Sequence, residues 1–349
     1  MERVYTLFSI LGFIMGLKLS FFVFFLSIIK LCSDLYAAKP KALDLENVML
    51  YENAQFFSLE ELSTRYDAFL LDAYGVFWGS NEVGVLPGAA DAMAYLVSRG
   101  KQVGILSNST QLAAKEKEKL RKHGLYEGAH YHFLLTSGEV AKDLLTQRSL
   151  PFSTPRNTYC LFGILHPRFG SHLQIFEGTK YKEVDHLHDA DFLYISIPHI
   201  DGVDQEDPEI FRPLIQSMQH TIPILCVNPD RFAMEGSPPR PVVRQGSIAQ
   251  MFAEQQANVY LIGKPSKVIY EAALQYFSPD MPKEKILMIG DTPETDIRGA
   301  HEAGLNAALV TKTGIMAHLL EKQGVVAVMQ QLPLGDRPDF FLESLNTGL

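Results

Sequence analysis

Twice along this chain, apolar runs of strand length alternate with helix-length segments, and a long stretch that does not alternate separates the two. The first series holds Phe69-Leu70-Leu71-Asp72, a helix from Pro87 to Ser98, Val103 to Leu106, a charged helix from Leu112 to His123, Phe133 to Thr136, and a helix from Gly138 to Thr146. Such alternation builds parallel sheets through right-handed crossovers. From Leu150 to Arg240 the texture changes: ten of the nineteen prolines fall there, among short strands at Thr158 to Phe162, Phe192 to Ile197 and Ile222 to Val227. Alternation then resumes at Val259-Tyr260-Leu261-Ile262-Gly263-Lys264, which is expected to rejoin the original sheet, and continues through Ile286 to Ile289 and Ala307 to Val310. The expected fold is α/β, with a parallel-sheet core made discontinuously from 59–137 and 258–349 and a second α/β domain inserted over 138–257.

With 349 residues, 47% hydrophobic and 20% charged, the chain is long enough for two such domains. A formal net charge of −9 provides no basic surface, which argues against a nucleic-acid partner. Cys32, Cys160 and Cys226 are far apart and odd in number, which argues against a disulfide framework or a zinc ribbon.

Several strand ends carry reactive groups. Asp72 closes an apolar run and is followed by Gly75, so it sits where an open α/β sheet binds ligands. Ser107 and Asn108 follow the strand ending at Leu106, offering a hydroxyl, an amide and backbone N–H groups suited to phosphoryl oxygens; a helix cap is the bland reading. Lys264 precedes Pro265 and could neutralise both a phosphate and a carboxylate. In Gly290-Asp291-Thr292-Pro293-Glu294-Thr295-Asp296 a glycine turn delivers Asp291, with Asp296 five residues on, a pattern that suits Mg²⁺ bound directly or through water. The groups after Asp72 are of the sort a phosphate site needs, and four weak signals in the right order, each at a strand's carboxyl end, are together stronger than any one.

From about Leu59 to Thr313 the sequence resembles the haloacid dehalogenase (HAD) superfamily, most closely the class IIA phosphatases with a C2-type cap that include sugar-phosphate and nitrophenyl phosphatases. The resemblance implies a Rossmann-like core, a cap that closes over the site, and Asp72 as the nucleophile that forms an aspartyl-phosphate. It further implies Ser107, Asn108 and Lys264 around the phosphoryl group, and Mg²⁺ held by Asp72, the backbone carbonyl of Tyr74, Asp291 and Asp296. Asn228-Pro229-Asp230 matches a stretch this class carries where the cap returns to the core, which would bring Asn228 and Asp230 toward substrate; it is also an ordinary turn sequence.

One position departs from the pattern. These phosphatases usually carry a second Asp two residues after the nucleophile, as acid and base, and here that residue is Tyr74. General acid–base catalysis is worth about 10²- to 10⁴-fold, so a slow phosphatase, or one specialised for good leaving groups, is expected. The expected substrate is a small phosphorylated metabolite resembling a sugar phosphate. A non-catalytic phosphate-binding protein and a phosphotransferase are the alternatives. Asp185-His186-Leu187-His188-Asp189-Ala190-Asp191 looks like a metal cluster but lacks helical i, i+4 histidine spacing, and Trp78 is expected to pack rather than stack on substrate.

Residues 1–48 form a hydrophobic leader. Tyr5 to Ile29 is apolar apart from Lys18, long enough for a bilayer, while its second half alone has the length of a signal-peptide core. It reads as a membrane anchor, as a signal peptide, or as sequence upstream of a start at Met49. The catalytic body is expected in the cytoplasm, membrane-anchored through residues 5–29, with export as the alternative and a second copy docking through the cap as a further partner.

Overall fold

The computed structural model describes residues 56–347 apart from 171, 219–220 and 237–239; the apolar leader, with its anchor, signal and start-site readings, lies outside them. Strands are numbered along the chain. The first sheet has six strands in the order β13-β12-β11-β1-β2-β3, drawn from β1 (Ala68–Leu71), β2 (Gln102–Ser107), β3 (Phe133–Thr136), β11 (Ile286–Gly290), β12 (Asn306–Val310) and β13 (Phe340–Leu342). All its pairings are parallel. The strands read as near-continuous apolar runs because both faces are covered: Phe69, Leu71, Ile105, Leu287 and Ile289 lie in one buried cluster with Leu62, Met93 and Leu96 from the flanking helices.

The chain steps outward from β1 to β3, leaves the sheet, and returns at β11 on the other side of β1. The strand order therefore reverses between β1 and β11, and the crevice beyond their carboxyl ends is where such sheets bind ligands. Leu71 pairs with Ile289, and the Asp72 N–H extends that ladder by donating to the Ile289 carbonyl at 2.9 Å. Asp72 and Asp291 thus leave adjacent strands at the same edge.

Between the two halves of this sheet, the chain builds a second, five-stranded parallel sheet of order β10-β7-β6-β4-β5. It comprises β4 (Thr158–Phe162), β5 (Lys182–Glu183), β6 (Phe192–Ile195), β7 (Ile224–Cys226) and β10 (Val259–Leu261), with an antiparallel hairpin of β8 (Phe232–Glu235) and β9 (Arg240–Val243) beside it. Phe162, Leu193, Ile195 and Val243 pack on Ile248 and Phe252 of the helix Gln245–Glu254 in a core of their own. Here the sequence pattern misleads. Val259–Leu261, expected in the first sheet, pairs with Ile224–Cys226 as an edge strand of the second. A run this short is apolar whichever sheet it joins, and β7 offers it an open edge; the return to the first sheet is made by the loop that follows. Lys264 accordingly lies on that loop, not at a strand end.

Among the described residues no helix is long and apolar enough to cross a membrane. Trp78 is 1% exposed and packs edge-on against His123 at 4.8 Å. In the Asp185–Asp191 segment, the buried Asp191 carboxylate accepts from the Arg156 backbone N–H at 2.9 Å and from its Nε at 3.1 Å, and the rings of His186 and His188 stack at 5.4 Å. Those contacts give the segment a packing role.

Candidate active site

The edge of β1 and β11 gathers Asp72, Asp291 and Asp296, buried, with one carboxylate oxygen of each within 4.8 Å of the others. Lys264, 1% exposed, reaches in from its loop, with its ammonium on Asp72 Oδ1 and 2.7 Å from Asp296 Oδ1. Asp296 Oδ2 accepts from the backbone N–H groups of Asp291 and Thr292, both at 3.0 Å. Both Asp296 oxygens are therefore committed, one to orienting Lys264 and one to fixing the turn that presents Asp291. Asp291 is held in turn, Oδ1 accepting from the Thr292 hydroxyl and Oδ2 from the Ile315 N–H, each at 2.8 Å.

The packing leaves no room for side chains at two glycines. A Cβ on Gly75, whose φ is +82°, would lie 2.2 Å from Asp291 Oδ2, and one on Gly314, φ +78°, would meet the same oxygen at 2.2 Å. Both backbones close over Asp291 because neither carries a side chain and both adopt the left-handed conformation glycine tolerates.

Ser107 and Asn108 follow β2 as expected, and the structure divides their work. The Asn108 side chain is fully occupied: Nδ2 donates to Asp230 Oδ1 at 2.8 Å and to the Lys264 carbonyl at 3.1 Å, and Oδ1 accepts from the Lys264 N–H at 2.7 Å. The amide is a strut that binds the returning loop to β2, so any contact it makes with a phosphoryl oxygen falls to its backbone N–H. Ser107 Oγ accepts from the Ser109 N–H at 3.2 Å. Asn228 forms the turn itself, its Oδ1 accepting from the Asp230 N–H at 2.9 Å, and Asp230 is thereby carried to the cluster.

Negative charge exceeds positive charge in this centre. Burial raises the Asp72 carboxyl well above its ordinary range; Asp296, Asp291 and Asp230 add to the rise and Lys264 opposes it. Burial and then Asp296 push Asp291 up to about 7, and burial pushes Asp230 up to about 6 against the pull of Lys264. Burial would lower the Lys264 ammonium, but Asp296 and Asp72 hold it well above its usual value. A close group of buried carboxylates short of one cation fits a divalent metal on oxygen ligands.

Tyr74 lines the same cavity, of about 530 Å³, beside Asp72. Its hydroxyl donates to Asn81 Oδ1 at 3.3 Å and accepts from Lys119 Nζ at 3.5 Å, while Lys119 pairs with Glu116 at 2.5 Å. The second sheet's connections supply the far wall, with Phe169, Ile197, Phe232 and Met234. The loop after Asp72 is tied to that side: Arg168 Nη2 donates to Glu82 Oε1 at 2.9 Å, the Gly236 N–H to Glu82 Oε2 at 3.1 Å, and Asn81 Nδ2 to Glu235 Oε2 at 3.3 Å. Sequence reasoning missed Asn81, Glu116, Lys119, Arg168 and Glu235. One signal was available: the helix Ala113–Lys122 starts just beyond the β2 edge, so its first charged turns return to the site.

Matches to known proteins follow this geometry. A haloacid dehalogenase-like hydrolase model matches residues 69–163 and a HAD-hydrolase-like model residues 261–347, the two halves of the first sheet. This chain belongs to the haloacid dehalogenase-like hydrolases. The glycerol-3-phosphate phosphatase of Homo sapiens is 27% identical over 301 residues, covering 80% of this chain and 88% of its own. Chronophin of Bos taurus is 25% identical over 297 residues, covering 82% and 94% respectively. A haloacid dehalogenase-like hydrolase structure from Brucella suis 1330 superposes with a TM-score of 0.64 at 26% identity, covering 82% of this chain and 98% of its own. The matched company is that of class IIA phosphatases, and HAD phosphatases use a divalent metal.

Proposed function

We propose that this HAD-type phosphoric monoester hydrolase cleaves a small phosphomonoester with Mg²⁺, through an aspartyl-phosphate on Asp72. The observation that carries the reading is the buried group of Asp72, Asp291 and Asp296 with Lys264 set between two of its carboxylates. A carboxylate oxygen of Asp72 attacks phosphorus, the bond to the leaving oxygen breaks, and water then cleaves the acyl phosphate, so that one difficult displacement becomes two easier ones. Asp72, Asp291 and the backbone carbonyl of Tyr74 would hold the metal, and Asp296 would act by fixing Lys264 and the Asp291 turn. Bound Mg²⁺ supplies positive charge against the repulsion between carboxylate and phosphate dianion. Lys264 adds to that charge, and the Ser107 hydroxyl with the Asn108 backbone N–H would hold the phosphoryl oxygens. The inserted α/β domain serves as the cap, its aromatic wall excluding water.

The test is phosphate release from 4-nitrophenyl phosphate. Wild type is expected to need a divalent ion, to lose activity in EDTA and to regain it with Mg²⁺; Asp72→Asn is expected to be silent while still folded. Turnover that persists in Asp72→Asn overturns the nucleophile, and wild type that binds phosphate without turnover favours a binding protein. The same reading places the body at a membrane's cytoplasmic face through residues 5–29 and pairs copies through the cap. Vesicle flotation of the full chain against one starting at Met49, and sedimentation of the latter, test those points.

A further inference from the structure

In the centre just described, the group standing where a proton donor to the leaving oxygen is expected has its O–H directed at another acceptor. The Tyr74 O–H already donates to Asn81 Oδ1 at 3.3 Å, and Lys119 Nζ, 3.5 Å away, donates to the same phenolic oxygen from the other side. Both partners are themselves pinned: Asn81 Nδ2 donates to Glu235 Oε2 at 3.3 Å, and Lys119 pairs with Glu116 at 2.5 Å.

The carboxylates lining the cavity are also engaged. Glu116 accepts from the Ser109 hydroxyl at 2.9 Å as well as binding Lys119. Glu118 faces Arg121, and Glu235 accepts from Arg244 Nη2 at 3.1 Å. Asp72, Asp230 and Asp291 are held by Lys264, Asn108, and Thr292 with Ile315. None of them stands free beside Tyr74.

The far wall adds an independent observation. Phe169 and Phe232 line it with Ile197 and Met234. The Phe169 ring is fixed between cations, with Arg168 Cζ 5.2 Å and Arg244 Cζ 5.7 Å from its centroid, and lies 4.6 Å from the His166 ring. Offset and edge contacts with these rings suit a flat apolar body seated against this wall.

We infer that the substrate is an aryl phosphate, the ester of an acidic aromatic hydroxyl, and that Tyr74 shapes the pocket without donating a proton. This rests on the aspartyl-phosphate reading and names the substrate class for it. The Asp72 oxygen bonds to phosphorus, the phosphorus–aryl oxygen bond breaks, and the aryl oxygen keeps the electron pair and leaves as a phenolate that solvent protonates. Water then attacks phosphorus, its proton passes to solvent, the bond from phosphorus to the Asp72 oxygen breaks with the electron pair returning to the carboxylate, and inorganic phosphate leaves. A phenol of pKa about 10 can leave unprotonated, whereas an aliphatic hydroxyl, as weak an acid as water, needs a donor. Lys119, lining the cavity beside Tyr74, contributes positive charge to the wall that the phenolate passes.

The experiment compares kcat/KM for phenyl phosphate and benzyl phosphate with Mg²⁺, for wild type, Tyr74→Phe and Tyr74→Asp. The two esters share an aromatic body and differ in the acidity of the leaving hydroxyl. Wild type is expected to favour phenyl phosphate by at least about 10²-fold, the span a missing acid opens. Tyr74→Phe, whatever its effect on the overall rate, is expected to keep the wild-type ratio between the two esters within about threefold, and Tyr74→Asp to narrow it by about tenfold or more. Benzyl phosphate cleaved within about tenfold of phenyl phosphate by wild type, or a preference for phenyl phosphate that widens by about tenfold or more in Tyr74→Phe, overturns the inference while leaving Asp72 as nucleophile. Silence of wild type on every ester, 4-nitrophenyl phosphate included, overturns the phosphatase reading itself.

Discussion

Among Asp72, Asp230, Asp291 and Asp296 stands one ammonium, that of Lys264, paired with Asp72 and Asp296, whereas Arg244 beside the second sheet binds Asp204 at 2.9 Å and Glu235 at 3.1 Å. Both groups are buried, and both join segments far apart in the chain. Their balance differs. In the first, burial and mutual repulsion leave Asp291 near 7 and Asp230 near 6, so the centre gains free energy from any further positive charge. In the second, one guanidinium faces two carboxylates and Glu235 is also held by Asn81 Nδ2 at 3.3 Å, so the formal excess of negative charge is one, against three in the first. A buried cluster with a large excess of one charge stores a demand for a ligand, whereas one whose carboxylates are each met by a fixed donor holds a wall in place. Under the proposed function the phosphoryl chemistry belongs to the first and the shape of the pocket to the second.

Four measurements would break or sharpen that contrast. Asp72→Asn should reduce turnover by on the order of 10⁴-fold. The variant should melt no lower than wild type in metal-free buffer, because a like charge has left a crowded cluster; a large loss of stability would make the centre structural. Arg244→Met should do the opposite, costing about 3–5 kcal/mol in urea unfolding by taking from Asp204 and Glu235 the guanidinium that pairs with both. An unchanged midpoint would show that the second cluster is not holding the wall. Adding Mg²⁺ at about one hundred times its Kd should stabilise wild type by about 2.7 kcal/mol. The gain should vanish in Asp291→Asn and survive in Arg244→Met.

The smallest effect concerns His166, 3% exposed, with Nε2 3.8 Å from Asp204. Burial lowers its pKa; His199, Arg244 and Arg168 push the same way, and Asp204 opposes them. The folded state therefore binds this proton less readily than the unfolded one. The associated stability is complete above the ordinary histidine pKa, about 6.5, and is lost as pH falls below it. Urea midpoints of wild type should fall through that window more than those of His166→Gln, and parallel curves would remove His166 from the account.

Much of the first cluster was legible beforehand because its logic is local. Each residue follows an apolar run or a glycine turn, and parallel strands bring such ends to one edge. The second cluster left no such trace: Arg244, Asp204 and Glu235 belong to no motif, and their meeting depends on how a hairpin packs beside a sheet. The same limit misplaced Val259–Leu261, since three apolar residues satisfy either sheet.

The residue types at the strand ends, their order, and the replacement of a carboxylate by Tyr74 were determined by the sequence alone, and with them the family and the missing acid. Only the tertiary structure decided that Lys264 reaches Asp72 across 192 residues, that the Asn108 amide is spent on the returning loop, and that the Tyr74 hydroxyl is taken by Asn81 and Lys119. Periodicity and turn chemistry are written in neighbouring residues. Which donor meets which acceptor depends on packing between segments that are distant in the chain.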